Sequence, residues 1–172
     1  MPDLIPVLEK NDIDQAVAKL AARISSDYRD GDLVAVAVLK GAFVFLADLV
    51  RKLTIPVTID FVRLASYGSQ TATSGNIRLT KDIEIDIRDK DVLIVEDIVD
   101  TGLSLTFLVD HLNGFQPRSV RICALVDKRE RRQQHLTVDY VGSVVDQGFL
   151  VGYGLDFAER YRHLPGIYHL KQ

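Results

Sequence analysis

Carboxylates and hydroxyls are concentrated in one stretch of the chain, VLIVEDIVDTGLSL (92–105). An apolar run leads into Glu96 and Asp97, and Asp100 follows just before a Thr-Gly-Leu-Ser turn at 101–104. A turn that opens a helix presents free backbone N–H groups, which bind phosphate. Adjacent carboxylates repel each other unless a metal ion, a hydroxyl-rich ligand or solvent offsets their charge. The stretch therefore predicts a site for a ligand that carries both hydroxyl groups and a phosphate.

A purely structural interpretation accounts for only part of this stretch. Asp100 could cap the following helix by accepting backbone N–H groups, and an acid there also suits the helix dipole. That interpretation leaves Glu96 and Asp97 without a role. Two familiar nucleotide loops are absent from the sequence, because neither GxxxxGK[ST] nor a GxGxxG that follows a strand occurs.

Strands and helices alternate along the chain in the order that a parallel α/β sheet requires. Continuous apolar runs rich in β-branched residues predict strands buried on both faces, and apolar residues spaced three and four apart predict helices. The predicted strands are 33–39, 57–65, 92–95 and 119–126, with a short one near 138–141 and an edge excursion over 77–90; the predicted helices are 11–29, 42–53 and 103–114. The sequence predicts an α/β fold with a mainly parallel twisted sheet flanked by helices.

Three polar segments each follow a predicted strand directly. They are Lys40-Gly41, residues 96–104 and Asp127-Lys128. Ligands of open parallel sheets bind outside the carboxyl ends of the strands. We therefore expect the three segments to meet at one rim of the sheet, and this convergence is stronger evidence for a site than any one segment.

Composition excludes several other classes of protein. The 172 residues are 26% charged and 47% hydrophobic, the balance of an ordinary globular chain, and they favour one domain, 1–172. The net charge of −3 gives no basic field for nucleic acid, no apolar run is long enough for a bilayer, and the first residues lack the pattern of a signal peptide. Cys123 is alone and cannot form an internal disulfide. We expect a cytoplasmic protein that binds neither nucleic acid nor membrane.

The stretch 92–105 resembles the phosphoribosyl pyrophosphate signature of the type I phosphoribosyltransferases: an apolar strand, two acids, two apolar residues, then an acid and a TG-containing loop. Nearly the whole chain is similar to the hypoxanthine-guanine phosphoribosyltransferases. The matching segments are LKGAFVFLADLVRKL (39–53), SYGSQTATSGNIRL (66–79), VEDIVDTGLSL (95–105), ALVDKRERR (124–132) and FLVGYGLDFAERYRHLPGIYHL (149–170). The resemblance implies the type I phosphoribosyltransferase fold, with a core at roughly 30–140 and a small hood subdomain built from the N-terminal segment and roughly 141–172.

The same resemblance implies a reaction. The 5-phosphoribosyl group would pass from phosphoribosyl pyrophosphate to N9 of hypoxanthine or guanine, giving IMP or GMP plus pyrophosphate, a step of purine salvage. Asp100 matches the general base, since a carboxylate next to N7 can accept a proton or stabilise the charge. Mg²⁺ is the implied cofactor, with Glu96, Asp97 and Asp156 as its implied protein ligands.

The resemblance also assigns substrate contacts. Lys40 and Gly41 match the pyrophosphate loop, where the family has a non-proline cis peptide before the lysine, and Arg162 matches a further pyrophosphate contact. Ser66 and Tyr67 match the start of a lid loop, which would keep water from a reactive sugar cation. The ribose phosphate is implied to contact the signature itself, at Glu96, Asp97, Ile98, Val99, Thr101, Gly102, Leu103 and Ser104.

For the base, Lys128 matches the lysine that reads the purine. An ammonium group only donates hydrogen bonds, so it favours the 6-oxo group of hypoxanthine or guanine over the 6-amino group of adenine. Phe149 matches the aromatic residue that stacks on the base, and Leu150 supplies backbone groups to its edge. A structural interpretation also exists for these residues, because a charge run such as KRERR (128–132) is usually solvated and a lone phenylalanine usually belongs to the core.

The remaining charged residues have structural interpretations too. Asp156 can cap a helix over DFAERYR, and Arg162 can lie on the surface of that helix. Arg129, Arg131 and Arg132 are assigned to solvent or to a subunit interface.

The main alternative function is a non-catalytic regulator on the same scaffold. RNA-binding pyrimidine attenuation proteins also keep a phosphoribosyl pyrophosphate loop, but the net charge of −3 argues against RNA. Asp100, Lys128 and Asp156 fit purine chemistry instead. A bare flavodoxin-like domain would leave the acid cluster unexplained. The implied partners are phosphoribosyl pyrophosphate, hypoxanthine, guanine and pyrophosphate, and the resemblance suggests a homodimer or homotetramer.

Overall fold

The computed structural model describes residues 3–66 and 76–171. Its strands are β1 (Asp3–Leu8), β2 (Leu33–Leu39), β3 (Val57–Ser66), β4 (Ile77–Lys81), β5 (Asp91–Val99), β6 (Ser119–Lys128), β7 (Tyr140–Val145), β8 (Leu150–Val151) and β9 (Ile167–Lys171); its helices are α1 (Lys10–Asp27), α2 (Phe43–Lys52) and α3 (Leu103–Asn113). The larger sheet has the strand order β4-β3-β2-β5-β6-β7. Its pairings are parallel except that of the edge strand β4, which is antiparallel to β3. This mixed α/β sheet confirms the predicted fold class.

The alternation of side chains along the central strands builds a core on each face of this sheet. In β2, Leu33, Ala35 and Ala37 pack in the core that includes buried residues of α1 and α2. Val34 and Val36, on the opposite face, pack in the core that includes buried residues of α3. A strand covered on both faces must be apolar at every position, and this explains the uninterrupted run over 33–39.

A second, smaller sheet joins the two ends of the described chain. Strands β1, β9 and β8 lie side by side in that order and are antiparallel. Strand β8 follows directly after Phe149, so this sheet carries one wall of the site described below. No helix in residues 3–66 and 76–171 is long and apolar enough to cross a membrane.

The observed elements differ from the predicted ones in several places, and strands β1, β8 and β9 were not predicted. Strand β5 continues through both acids to Val99, whereas the apolar run alone predicted a strand over 92–95. The strand predicted near 138–141 begins at Tyr140 and runs to Val145. Residues 156–162 form turns and a short bridge between Phe157 and Arg160, so the interpretation of DFAERYR as a helix is wrong.

A buried carboxylate fixes the chain segment that leads from β4 into β5. Asp60, which is 5% exposed in β3, accepts hydrogen bonds from the backbone N–H groups of Phe61 (2.7 Å), Glu84 (2.7 Å) and Ile85 (3.0 Å). The ammonium of Lys81 lies 3.8 Å away. Burial acts to raise the pKa of Asp60, but the three N–H donors and Lys81 outweigh it and lower that pKa.

Replacing Asp60 with asparagine is expected to lower the free energy of unfolding at neutral pH by about 1–3 kcal/mol, because the N–H donors lose a charged acceptor. A carboxylate with a lowered pKa contributes stability above its ordinary value of 3.8 and loses it as the pH falls through the lowered pKa. The difference between wild type and variant should therefore shrink below pH 3.8. Urea denaturation at neutral and acidic pH checks this, and a difference that stays constant with pH would contradict it.

Candidate active site

The carboxyl ends of β2, β5 and β6 meet around one cleft of about 380 Å³. The predicted site residues that line it are Lys40, Gly41, Glu96, Asp97, Ile98, Asp100, Lys128, Phe149, Leu150, Asp156 and Arg162. The parallel register explains the convergence, because Ala37 lies opposite Val95 and Val99 lies opposite Asp127. Residues at the carboxyl ends of the three strands are therefore neighbours. The predicted meeting of three polar segments at one rim is confirmed.

The adjacent acids of β5 are both buried at the floor of this cleft. Glu96 is 9% exposed and Asp97 is 7% exposed. The backbone N–H of Asp97 donates to Oε1 of Glu96 at 3.0 Å, and the N–H of Ile98 donates to Oδ1 of Asp97 at 2.8 Å. Burial, and then the charge of Asp97, raises the pKa of Glu96 well above its usual range. The pair therefore favours a neutral Glu96 until a cation or hydrogen-bond donors of a ligand compensate a second charge.

A glycine makes room for the second of these acids. A Cβ atom at Gly41 would overlap Oδ2 of Asp97 and lie 2.8 Å from its Cγ. The peptide bond between Leu39 and Lys40 is cis, as the resemblance implied. The loop after β2 thus contacts the carboxylate of Asp97 through the backbone of Gly41, which has no side chain.

Asp100 lies between two cations at the end of β5. Its Oδ2 atom is 3.8 Å from Nζ of Lys128 and 3.7 Å from a guanidinium nitrogen of Arg131. Its Oδ1 atom is buried and has no hydrogen-bond partner among the described residues. The side chain of Lys128 is 8% exposed, and its other charged neighbour, Glu130, lies 4.0 Å away. Asp100 and Lys128 therefore both line the cleft, and their charged groups lie too far apart for a direct hydrogen bond.

The turn predicted to hold phosphate opens α3 but does not line the cleft. Gly102 adopts a left-handed conformation with a φ of 84° at the helix N-cap, and no side chain caps the helix. The interpretation of Asp100 as the cap is therefore wrong. Thr101 instead accepts the N–H of Leu103 through its hydroxyl at 3.3 Å. Ser104 lies in the first turn of α3, where N–H groups lack partners within the helix.

The segment after β6 lies against this turn. The backbone N–H groups of Gln133 and Gln134 donate to the carbonyl oxygen of Thr101 at 2.9 and 3.3 Å. Arg132 donates through Nε to the carbonyl oxygen of Asp100 at 3.0 Å and also binds the buried carboxylate of Asp127. This segment therefore holds the turn at residues 101–104 in place.

An aromatic pair forms the wall that the second sheet contributes. Phe149 is 47% exposed at the cleft, although a core phenylalanine would be buried. The ring of Phe157 meets it edge-on, with 5.6 Å between centroids and an interplanar angle of 85°. Leu150 is buried beside them. The exposed face of Phe149 suits stacking on a planar ligand.

A charged network closes the remaining side of the cleft. Arg162 donates to the carbonyl oxygen of Gly154 at 2.7 Å, and a guanidinium nitrogen lies 3.0 Å from Oδ1 of Asp156. Glu159 accepts from Arg162 at 3.2 Å and from Lys40 at 2.9 Å. Oδ2 of Asp156 accepts the backbone N–H of Glu159 at 2.8 Å. Asp156 does cap a local N–H group, as its structural interpretation expected, but within a tight turn and not a helix.

Several predicted residues lie outside the cleft lining. Val99 is 1% exposed in the core, so only its backbone is available to a ligand. Ser66 is the exposed last residue of β3 and pairs with Ile77. Tyr67 and the lid loop that follows it lie outside the described residues. Arg131 is 64% exposed, as its assignment to solvent expected, although it also lines the cleft. The assignment to solvent or an interface is wrong for Arg132, which is 20% exposed and pairs with Asp127.

Two residues of the site have no signal in the sequence that would have singled them out. Arg131 belongs to a charge run of the kind that is usually solvated, and Glu159 belongs to a stretch that was interpreted as helical. The parallel register of β5 and β6 places the residues after Asp127 beside those after Val99, and this register is a tertiary property. This register brings Asp100 close to Lys128 and Arg131.

The described residues include no group of three or more His, Cys, Asp or Glu side chains placed to bind a metal ion. The cleft nevertheless suits Mg²⁺, which is usually bound through one or two carboxylates while substrate phosphates and water complete its shell. Asp156 has a free lone pair on each oxygen after its contacts to Arg162 and Glu159. Glu96 and Asp97 offer a charge that a cation would compensate. The residues therefore fit a shared metal site and not an all-protein cage.

Comparisons with known proteins agree with this arrangement. Residues 7–158 match the family model of the phosphoribosyl transferase domain. The hypoxanthine-guanine phosphoribosyltransferase of Mycobacterium avium is 43% identical over 167 residues, which cover 94% of this chain and 82% of the relative. A crystal structure of a hypoxanthine-guanine phosphoribosyltransferase from Bacillus anthracis superposes with a TM-score of 0.92 at 45% identity, covering 96% of this chain and 97% of that one. The Trypanosoma cruzi hypoxanthine phosphoribosyltransferase, solved as a ternary substrates complex, gives a TM-score of 0.92 at 36% identity over 99% of this chain and 96% of that one. This chain therefore belongs to the phosphoribosyltransferase family, among the hypoxanthine-guanine phosphoribosyltransferases.

Proposed function

We propose that this chain transfers the 5-phosphoribosyl group from phosphoribosyl pyrophosphate to N9 of hypoxanthine or guanine, releasing pyrophosphate and IMP or GMP. The observation that carries the proposal is the pairing of Asp100 and Lys128 in the cleft. One offers a buried oxygen without a partner, and the other offers a buried ammonium at 3.8 Å from that carboxylate. A 6-oxopurine presents a matching acceptor at its oxo group and a basic edge at N7.

The base would bind between the two sheets. Phe149 supplies a ring face for stacking, and Lys128 donates to the 6-oxo group, so both fix the direction in which N9 points. The backbone of Leu150 meets the edge of the base. Asp100 would then lie at N7, where it accepts the proton or stabilises the positive charge that the base gains as N9 attacks.

The sugar, its 5′-phosphate and its pyrophosphate would occupy the rest of the rim. Glu96 and Asp97 face the ribose hydroxyls, and the amides of residues 101–104 receive the 5′-phosphate. Lys40 and Arg162 support the pyrophosphate as it leaves, when positive charge develops at the ribose C1. Bound Mg²⁺ would supply Lewis-acid neutralisation of the leaving group, with Asp156 and the Glu96–Asp97 pair as its protein ligands. The proposal includes a homodimer or homotetramer, the assembly that the family resemblance suggests.

Pyrophosphate release with hypoxanthine, guanine, xanthine, adenine and uracil tests the function, in wild type and in a Lys128→Ala variant. Wild type is expected to use hypoxanthine or guanine and to reject adenine. In the variant, kcat/KM for hypoxanthine should fall about 10- to 100-fold, because a charge-assisted hydrogen bond to the base is lost. The preference for hypoxanthine over adenine should narrow by a similar factor.

Lys90→Ala is the matched control. Lys90 precedes β5 at the opposite end of the sheet, where it lies 3.8 Å from Asp32, so its removal deletes the same charge far from the cleft. A hypoxanthine-to-adenine ratio that Lys128→Ala leaves unchanged would remove Lys128 as the reader of the base. Absence of pyrophosphate release with every base would favour a non-catalytic, nucleotide-sensing regulator.

A further inference from the structure

The geometry points to Glu159 as the residue that sets the affinity of the pyrophosphate subsite, by occupying its two cations until pyrophosphate displaces it. This inference rests on the proposed function, in which Lys40 and Arg162 bind pyrophosphate. It adds that Glu159, a residue of this chain, competes with pyrophosphate for these two cations. Glu159 would leave when the ligand enters and return when the ligand departs.

The two oxygens of Glu159 divide the two cations between them. Oε2 accepts from Nζ of Lys40 at 2.9 Å, and Oε1 accepts from a guanidinium nitrogen of Arg162 at 3.2 Å. Lys40 and Arg162 come from distant parts of the chain and both line the cleft. A carboxylate that bridges them places negative charge where an oxyanion ligand needs those same donors.

The backbone presents Glu159 by an unusual turn. Ala158 and Glu159 have φ angles of 50° and 63°, in the left-handed region that non-glycine residues seldom adopt. They form the two central residues of a tight hairpin closed by hydrogen bonds in both directions between Phe157 and Arg160, at 3.0 and 3.1 Å. The backbone N–H of Glu159 donates a hydrogen bond to Oδ2 of Asp156 at 2.8 Å. Sparsely populated backbone conformations of this kind cluster at functional sites, where surrounding contacts maintain them.

The exposure of Glu159 makes the contact reversible. Its side chain is 63% exposed, and that of Lys40 is 45% exposed. The hydrogen bond from Lys40, and then that from Arg162, lowers the pKa of Glu159, so the carboxylate is charged at neutral pH. Exposed ion pairs contribute little stability, and a ligand with several phosphate oxygens can replace a single carboxylate at both cations. Glu159 therefore lowers the affinity for pyrophosphate without blocking it, and its return favours release of the product.

The alternative role for Glu159 is positioning, in which it orients Lys40 and Arg162 for the ligand. The two roles predict opposite signs. A competitor raises pyrophosphate affinity when it is removed, whereas a positioning residue lowers that affinity.

Calorimetric titration of Mg²⁺-pyrophosphate into the full chain separates them. Glu159→Gln should lower the Kd for pyrophosphate about three- to tenfold, the range expected for one exposed ion pair to Lys40 and one partly buried ion pair to Arg162. Glu159→Asp keeps the charge but shortens the side chain, so it cannot reach both cations and should give a smaller decrease. Glu84→Gln is the control, since Glu84 is 79% exposed and pairs with Lys81 in the segment after β4. Its Kd should equal that of wild type.

An unchanged or raised Kd in Glu159→Gln would overturn the inference, and so would a Glu159→Asp variant that binds like wild type. Phosphoribosyl transfer by wild type is measured on the same preparations. Transfer activity together with an unchanged Kd in Glu159→Gln rejects the competitor and leaves the proposed function standing. Absence of pyrophosphate binding by wild type and all variants rejects the pyrophosphate subsite at Lys40 and Arg162, whereas only absence of phosphoribosyl transfer by wild type rejects the proposed function.

Discussion

Replacing Asp100 with asparagine is expected to lower kcat for guanine about 100- to 10,000-fold, the usual contribution of a positioned general base. Asparagine keeps the shape of the side chain but cannot accept a proton. Asp100 and Lys128 both line the cleft, with Oδ2 of Asp100 3.8 Å from Nζ of Lys128, so the carboxylate adjoins the region where N7 of the base would lie. The KM for phosphoribosyl pyrophosphate should change far less, because Asp100 is proposed to contact the base.

Steady-state kinetics with guanine and hypoxanthine measure the effect. Asp110→Asn is the matched control, since Asp110 is an exposed residue of α3 that does not line the cleft. Circular dichroism of both variants shows whether the fold is retained. Full turnover by Asp100→Asn with guanine would show that the base assignment is wrong.

Replacing Gly41 with alanine is expected to cause the second large loss of activity. In Gly41→Ala the new Cβ overlaps the carboxylate of Asp97. The Cβ is fixed to the backbone of residue 41, so the carboxylate of Asp97 must move. Displacement of a binding group by about 1 Å can reduce activity about 100-fold, so kcat/KM for phosphoribosyl pyrophosphate should fall by about that factor. The conflict involves the end of a side chain, and we therefore expect the variant to fold.

Gly31→Ala provides a comparison at the other end of β2. Its Cβ would also meet a carboxylate, but at 3.0 Å from Oδ2 of Asp91, so a small adjustment accommodates it far from the cleft. The prediction is checked by initial rates at varied phosphoribosyl pyrophosphate and by thermal melting of both variants. Wild-type kcat/KM in Gly41→Ala would mean that the position of Asp97 is unimportant for the reaction.

The central sheet was predictable from the sequence because its strands are buried on both faces. Burial on both faces requires an unbroken apolar run, and the run over 33–39 has the same bounds as β2. The meeting of Lys40, Asp100 and Lys128 was predictable as well, since the carboxyl ends of parallel strands lie at one edge of the sheet. The order of five segments then gave the family.

Other features depend on contacts that no local pattern records. Strands β1 and β9 pair with each other although they lie at opposite ends of the described chain. Glu159 owes its place to left-handed backbone conformations, which are rare for alanine and glutamate, so a helical interpretation of DFAERYR was the natural error. The acids of β5 were expected to follow the strand, because two charges seldom lie inside one.

The segment from Lys128 to Gln134 has a consequence for which ligands are held most tightly. It begins with the amine proposed to read the base, and its last residues donate to the carbonyl oxygen of Thr101. In the proposed binding mode the base contacts Lys128 and the 5′-phosphate contacts residues 101–104, so a few covalently linked residues would set the distance between these two contacts. A monophosphate of the right length engages both ends at once, whereas a free nucleoside engages one, so nucleosides should be poor inhibitors beside their monophosphates.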